Sequence, residues 1–285
     1  MNNYTIIIIL SIVFLISCNN EQNEKQIDKT LLVESTNKQD MVFDWGRTKL
    51  LKQNLILELQ SSEKADGLLI SFLSDYDEVI NENNNILFGL ESYDSLNTIM
   101  NESNGVIYNN ALEFKKQADS SGFSISSSEG MIYLAESTKY LKLDILPLLD
   151  SISSEFLKLY CNEIDNNCCD DAAIIISKEE LVNRMYIWGE FSEKTKGLKY
   201  YSFAINKFNH YRSLVFVGTD NSPSFDIESG KYDKELLRLI SNIINLYPDS
   251  KTANELKKYK DLLGSHNYKR TSKVDSFIAQ KISIK

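Results

Sequence analysis

Three cysteines lie close together in the segment Cys161-Asn-Glu-Ile-Asp-Asn-Asn-Cys168-Cys169. Thiols with this spacing can form a disulfide bond, bind a metal ion or stay reduced. A bond between the adjacent residues Cys168 and Cys169 would close an unfavourable ring, whereas Cys161 could reach either of them across the Asn- and Asp-rich turn.

A metal site in this segment would recruit Asp165, Asp170 or Asp171 beside the sulfurs. No histidine is near in the sequence, and the cysteines lack the Cys-x2-4-Cys pairs that zinc sites use. The sequence therefore predicts no metal ion and no other cofactor.

The loop from Val217 to Asp226 is a second candidate site, because it combines glycine, proline and polar turn-forming residues. Asp220, Asn221 and Asp226 offer oxygen atoms to a cation or hydrogen bonds to a sugar. The loop lacks the internal glycine of an EF-hand calcium site. It is either a connector stabilised by Asx-turns or a contact surface for a partner, and we predict that these three residues bind a partner.

Established catalytic templates are absent from the sequence, including the nucleophile elbow, the P-loop and the zinc-protease helix motif. The two histidines, His210 and His266, have no recognisable catalytic partner along the chain. A pair of carboxylates could hydrolyse glycosides without histidine, but only the fold brings such a pair together.

The N-terminal segment of residues 4–18 is an apolar run that ends at Leu15-Ile16-Ser17-Cys18. It is shorter than the roughly 20 residues that a membrane-spanning helix needs. Its last four residues resemble the lipobox of bacterial lipoproteins. The resemblance implies that residues 1–17 are a signal peptide, that Cys18 carries lipid such as palmitate, and that the rest of the chain lies outside the cytoplasm. An uncleaved N-terminal anchor is the alternative and places the chain on the same side of the membrane.

Thiols outside the cytoplasm usually oxidise. We therefore predict a disulfide bond between Cys161 and either Cys168 or Cys169.

Residues 18–40 are polar after the lipidated cysteine and lack aromatic side chains, which is typical of a flexible tether. Residues 41–285 contain no Pro-, Gly- or Ser-rich hinge, and we predict one domain there. The formal net charge of −9 argues against nucleic acid as a partner, because such binding requires a basic surface.

Only three prolines occur in the chain, which favours long helices. Residues 66–82 place apolar side chains at the spacing of one helix face. Ser126-Ser-Ser-Glu129 and Ser177-Lys-Glu-Glu180 each match a capping box, so each predicts a helix start.

The C-terminal region has two apolar helical stripes, which are separated by Tyr247-Pro248-Asp249-Ser250. This junction resembles the boundary between tetratricopeptide repeats, with Pro248 at the repeat-closing position. Leu236, Ile243, Asn254 and Lys258 depart from the small or conserved residues of that repeat. The resemblance implies an antiparallel helical hairpin.

The sequence thus predicts an all-α fold of consecutive antiparallel helical hairpins, loosely solenoid-like, with at most a small β-hairpin. We expect a membrane-anchored envelope lipoprotein that faces the periplasm or the cell surface. Stacked hairpins tend to leave a concave surface, so we expect a non-enzymatic module that binds a protein, peptide or glycan. The alternative is a carboxylate-dependent hydrolase that acts on an envelope or extracellular polymer.

Overall fold

The computed structural model of the protein describes residues 42–61, 65–102 and 109–282. The described residues form eleven helices and two antiparallel strand pairs, and the structure is 68% helical, which confirms the all-α prediction. The helices are α1 (Arg47–Ser61), α2 (Ala65–Phe88), α3 (Tyr93–Glu102), α4 (Asn109–Ser120), α5 (Thr138–Tyr140), α6 (Ser151–Asp165), α7 (Lys178–Lys194), α8 (Tyr200–Phe216), α9 (Lys234–Leu246), α10 (Lys251–Ser265) and α11 (Ser272–Ile282). The strands are β1 (Phe123–Ser128), β2 (Met131–Glu136), β3 (Cys169–Asp170) and β4 (Ala173–Ile174). The predicted signal peptide, Cys18 and the tether lie outside the described residues.

Helix α2 organises the N-terminal half of the domain, where it packs against α1 and strand β2. Its buried face is the one that the 3,4 spacing predicts, and it comprises Leu69, Phe72, Leu73, Tyr76 and Ile80. The hydroxyl of Tyr76 donates a hydrogen bond to the carbonyl of Gly122 and accepts one of 2.9 Å from the amide of Ser137. One buried side chain of α2 therefore holds both ends of the β1–β2 hairpin.

The segment from Ser126 to Glu129 does not begin a helix, so the first of the two predicted capping boxes is wrong. It forms the end of β1 and the turn into β2, with Ser128 opposite Met131. Glu129 and Gly130 have φ angles of 51° and 75°, which suit the two central positions of a tight hairpin turn. Glycine adopts such angles readily, so the Glu-Gly pair marks a turn here rather than the first turn of a helix.

Side chains of α2 and α3 cover the outer edge of β2. The amide of Asn84 donates to the carbonyl of Leu134 at 2.8 Å and accepts from its N–H at 2.7 Å. Asn97 accepts from the N–H of Ile132 at 2.7 Å, and the hydroxyl of Tyr93 donates to the carbonyl of Ile132 at 2.9 Å. The two asparagines therefore occupy the place of a third strand, because a side-chain amide carries the same donor and acceptor as a peptide group.

The C-terminal half is built from helical hairpins. Helices α7 and α8 pack along each other, α9 and α10 pack against each other and against α7, and α11 packs on α8. Ser177 caps α7 by accepting from the N–H of Glu180 at 3.1 Å, which confirms the helix start predicted there, while the carboxylate of Glu180 accepts from Arg184. The predicted break after Tyr247 is also confirmed, and Ser250 caps α10.

Close helix packing in this half depends on Gly189 of α7. A Cβ atom there would lie 2.3 Å from Oγ1 of Thr252 on α10 and 3.0 Å from the ring of Phe208 on α8. Three helices thus meet at a residue with no side chain. None of the helices in the described ranges is both long enough and apolar enough to cross a bilayer.

Candidate functional site

Cys168, Cys169 and His210 come together at the surface, although His210 lies 42 residues after Cys168 along the chain. The Sγ atom of Cys168 is 3.3 Å from Sγ of Cys169 and 3.5 Å from Nε2 of His210. One sulfur or nitrogen from each residue lies within 4.8 Å of the other two. Cys168 is buried, Cys169 is half-buried and His210 is exposed, so this thiol–imidazole cluster opens to solvent on one side.

A short hairpin fixes the two thiols. Cys169 pairs with Ile174 across β3 and β4, and the N–H of Ile175 donates to the carbonyl of Cys168 at 3.0 Å. Asp171 and Ala172 make the turn with φ angles of 42° and 57°. This left-handed conformation is energetically unfavourable for alanine. The hairpin keeps this turn because its neighbours hold it, which is typical of backbone that supports a site.

The loop of residues 217–226 is one of those neighbours. The side-chain amide of Asn221 donates to the carbonyl of Asp171 at 2.8 Å, and its backbone N–H donates to the carbonyl of Ala172 at 3.1 Å. The hydroxyl of Ser222 accepts from the N–H of Ile174 at 3.1 Å. Asn221, one of the three predicted binding residues in this loop, therefore supports the hairpin that carries Cys168 and Cys169.

Asp226 and Asp220, the other two residues that the sequence predicts as binding residues, do not support the hairpin as Asn221 does. The carboxylate of Asp226 accepts from the N–H and the hydroxyl of Ser229, at 2.7 and 2.6 Å, and these bonds lower the pKa of Asp226. Asp226 therefore stabilises its own turn. Asp220 is exposed at the tip of the loop.

Below the cluster, a buried network centred on Glu163 ties the C-terminal end of α6 to α7 and α8. Trp188 Nε1 and the hydroxyl of Tyr211 donate to the carboxylate of Glu163 at 3.0 and 2.6 Å. Arg184 and Lys207 place their charges 3.7 and 3.1 Å from the same carboxylate.

Arg184 extends this network to the end of α6, since its Nη1 donates to the carbonyl of Asn166 at 2.8 Å. The chain leaves α6 at that residue and reaches Cys168 two positions later. The network therefore positions the segment that carries Cys168 beside His210 and Tyr211.

The two adjacent thiols differ in acidity. Burial raises the pKa of Cys168, but the hydrogen bonds from His210, Cys169 and Tyr211 outweigh it and bring the pKa below the usual value of a thiol. Burial, followed by the hydrogen bond to Cys168 and its charge, raises the pKa of Cys169 to about 12. Cys168 is thus the more acidic of the two thiols, and the thiolate is the form of cysteine that reacts as a nucleophile and binds metal.

Cys161, Cys168 and Cys169 are free thiols in the structure, which does not contain the predicted disulfide bond from Cys161. Cys161 lies on the buried face of α6, where the charged groups around it are Lys142, Asp165 and Glu136. Burial raises its pKa to about 11. The chain leaves α6 after Asp165 and places Cys168 against His210 of α8. The short spacing between the cysteines in the sequence is therefore not enough to pair them.

The aspartates that the sequence offered as metal ligands are also not members of the cluster. Asp165 accepts hydrogen bonds from Lys142 and from the hydroxyl of Thr138, and Asp170 and Asp171 are exposed on the hairpin. His210 takes the third position instead. Nothing in the sequence around His210 relates it to the cysteines, because the contact depends on how α8 packs beside the end of α6.

A pocket of about 240 Å³ lies between α1 and the segment that begins at Ser137, and its lining includes Asp119 and Asp144. Lys52 Nζ is 2.6 Å from Asp144, and Lys115 Nζ is 3.4 Å from Asp119. Both carboxylates are largely exposed and paired with lysine, so they do not form the buried acid pair that glycoside hydrolysis uses.

Glu136 is a further candidate for a general acid, because it is half-buried and its pKa is raised. Burial raises its pKa, although the hydroxyl of Tyr160 donates to its carboxylate at 2.7 Å and opposes that rise. Glu136 does not line the pocket.

Comparison of the chain with protein-family models, with curated proteins and with solved structures finds no match. The thiol–imidazole cluster, rather than a relative, is therefore the basis for a functional conclusion.

Proposed function

We propose that the protein is a lipid-anchored protein of the bacterial cell envelope whose helical domain binds a ligand outside the cytoplasm. Two features of the sequence support the location. Leu15-Ile16-Ser17-Cys18 matches a lipobox, and the polar residues 19–40 would separate the domain from the membrane surface. Two acyl chains would hold such a protein on the membrane, because each buried methylene contributes about 0.8 kcal/mol.

The observation that carries the binding function is the thiol–imidazole cluster of Cys168, Cys169 and His210. Its donor atoms lie within 4.8 Å of one another and reach solvent through His210. Their backbone is held by a strained turn, by Asn221 and by the Glu163 network. Converging polar groups on a rigid support are the usual form of a binding site.

The lipid anchor is tested by growing cells with a radioactive fatty acid. The protein should be labelled, and Cys18→Ala should lose the label. Continued labelling of the alanine variant would contradict the lipobox assignment.

The binding function is tested by affinity capture of the detergent-solubilised full-length protein from envelopes, followed by identification of what is retained. A ligand or partner protein, peptide or glycan should be captured by the wild type and by Cys161→Ser, which changes a buried thiol outside the cluster. It should be lost with the double variant Cys168→Ser, Cys169→Ser. Equal capture by all three proteins would contradict a role for the cluster.

The alternative is a hydrolase that uses a carboxyl group with a raised pKa, for which Glu136 is the candidate. The purified protein would then hydrolyse a glycan or peptide. Loss of this activity in Glu136→Gln, with unchanged activity in the cysteine variants, would support the hydrolase over the binding protein.

A further inference from the structure

We propose that Cys168, Cys169 and His210 bind one thiophilic transition-metal ion, with Zn²⁺ as the reference ion. This inference rests on the proposed binding function, because it names the ligand class of the same site. It replaces the sequence-based expectation that the protein uses no metal ion.

The donor types select the class of ion. Two sulfur atoms and one imidazole nitrogen suit zinc and copper(I), whereas calcium and magnesium prefer oxygen ligands. The acids of the hairpin, Asp170 and Asp171, are exposed and are not among the clustered donors. The set is therefore unsuited to a hard cation.

The distances fit a shared ion. Zinc–sulfur bonds of about 2.3 Å and zinc–nitrogen bonds of about 2.0 to 2.1 Å at tetrahedral angles separate two sulfurs by about 3.8 Å and a sulfur and a nitrogen by about 3.6 Å. The corresponding distances here are 3.3 Å between the sulfurs and 3.5 Å between Cys168 Sγ and His210 Nε2. The third pair, Cys169 Sγ and a ring nitrogen of His210, lies within 4.8 Å, so side-chain shifts of up to roughly 1 Å would complete the geometry.

The adjacency of Cys168 and Cys169 in the chain argues against the other use of a cysteine pair. A disulfide bond between adjacent residues closes an unfavourable ring, and both residues are free thiols in the structure. The turn at Asp171 and Ala172 and the pairing of Cys169 with Ile174 hold the backbone on both sides of the thiols. Both thiols therefore remain available as ligands of one ion.

Three protein ligands leave a fourth position of a tetrahedral ion open. His210 is exposed, so an ion can enter from solvent and its free position can accept water or a donor from a partner. Below the ligands, Tyr211 is fixed by Glu163, which is the kind of outer support that metal sites use to orient their ligands.

The test uses the full-length protein in detergent, reduced with a phosphine that does not bind zinc, and titrates it with Zn²⁺ against a chromophoric chelator. The wild type should bind one equivalent. Cys168→Ser, Cys169→Ser and His210→Ala should each weaken binding by more than the roughly 10- to 100-fold that loss of an outer-shell partner costs. Circular dichroism of each variant establishes that it is folded, and His210→Ala changes an exposed side chain that the fold does not need.

Cys161→Ser and His266→Ala are the matched controls, because they change a thiol and a histidine outside the cluster. Both should bind Zn²⁺ as the wild type does. With Co²⁺ as a second probe, the wild type and both controls should show thiolate-to-metal charge-transfer absorption, and the two cluster cysteine variants should lose intensity.

The proposal would be overturned by reduced wild-type protein that fails to compete with the chelator, or by equal Zn²⁺ affinity in the wild type and folded His210→Ala. Capture of an envelope partner that depends on Cys168 and Cys169 without any Zn²⁺ binding would refute the metal site and leave the binding function standing. Stoichiometric Zn²⁺ binding without such a partner would support the metal site alone.

Discussion

Removal of the Glu163 carboxylate should destabilise the domain more than removal of any surface acid on the same helix. The side chain of Glu163 is 8% exposed, and that of its partner Arg184 is 4% exposed. Removal of one member of a buried ion pair typically costs about 3 to 5 kcal/mol, because the remaining charge stays buried without its partner. Here Arg184 keeps its bond to Glu180, whereas Trp188 and Tyr211 each lose the acceptor for a buried donor.

Because Arg184 retains a partner and each unsatisfied buried donor costs about 1 to 3 kcal/mol, we expect Glu163→Ala to lower the free energy of unfolding by about 2 to 5 kcal/mol. Glu163→Gln keeps an oxygen acceptor and loses the charge, so its effect should be smaller. The matched control is Glu155→Ala, also on α6. Glu155 pairs with Lys194 and is 43% exposed, and the loss of such a surface pair should cost less than about 1 kcal/mol.

The measurement is urea unfolding followed by far-UV circular dichroism, because fluorescence of Trp188 would respond directly to the loss of its hydrogen bond. A value for Glu163→Ala within about 1 kcal/mol of the Glu155→Ala value would refute the argument that the network is buried and mutually dependent.

Three further predictions follow from the site and its supports. Iodoacetamide at neutral pH should modify Cys168 before Cys161, as read by peptide mapping of the native protein, because the pKa of Cys168 is lowered whereas Cys161 is buried and its pKa is raised. Faster modification of Cys161 would contradict this order. Ala172→Gly should raise the free energy of unfolding in urea by about 0.5 to 1 kcal/mol, because glycine adopts a positive φ angle without strain. An unchanged or lower stability would contradict strain in the turn. Gly218→Ala should lower stability by about 1 to 3 kcal/mol in the same assay, because its φ angle is 83° and a Cβ would lie 2.3 Å from the carbonyl oxygen of Ser222; wild-type stability would contradict that close approach.

Much of the helical fold was predictable because its signals are local. The buried face of α2, the cap at Ser177 and the break at Pro248 all follow from residues close in sequence. The β1–β2 hairpin was missed because Ser126 and Glu129 satisfy a capping pattern, while the residues that favour a strand there, Asn84 and Asn97, lie on other helices.

The candidate site was only half predictable. Its cysteines and the loop around Asn221 stood out by residue type, and the structure brings both to the β3–β4 hairpin. The partner of the thiols, His210, could not be identified because its contact with Cys168 spans 42 residues and depends on how α8 packs. The disulfide bond predicted from Cys161 is not formed in the structure, where Cys161 lies on the buried face of α6.

The asparagines on the edge of β2 have a consequence for the solubility of the protein at high concentration. An uncovered strand edge offers unpaired N–H and C=O groups to other chains and is a common starting point for aggregation. Asn84, Asn97 and Tyr93 occupy those groups on Ile132 and Leu134 with side chains of two helices. The outer edge of β2 is thereby closed to intermolecular pairing without a further strand, and substitution of both asparagines would expose N–H and C=O groups there that a strand of another copy could pair with.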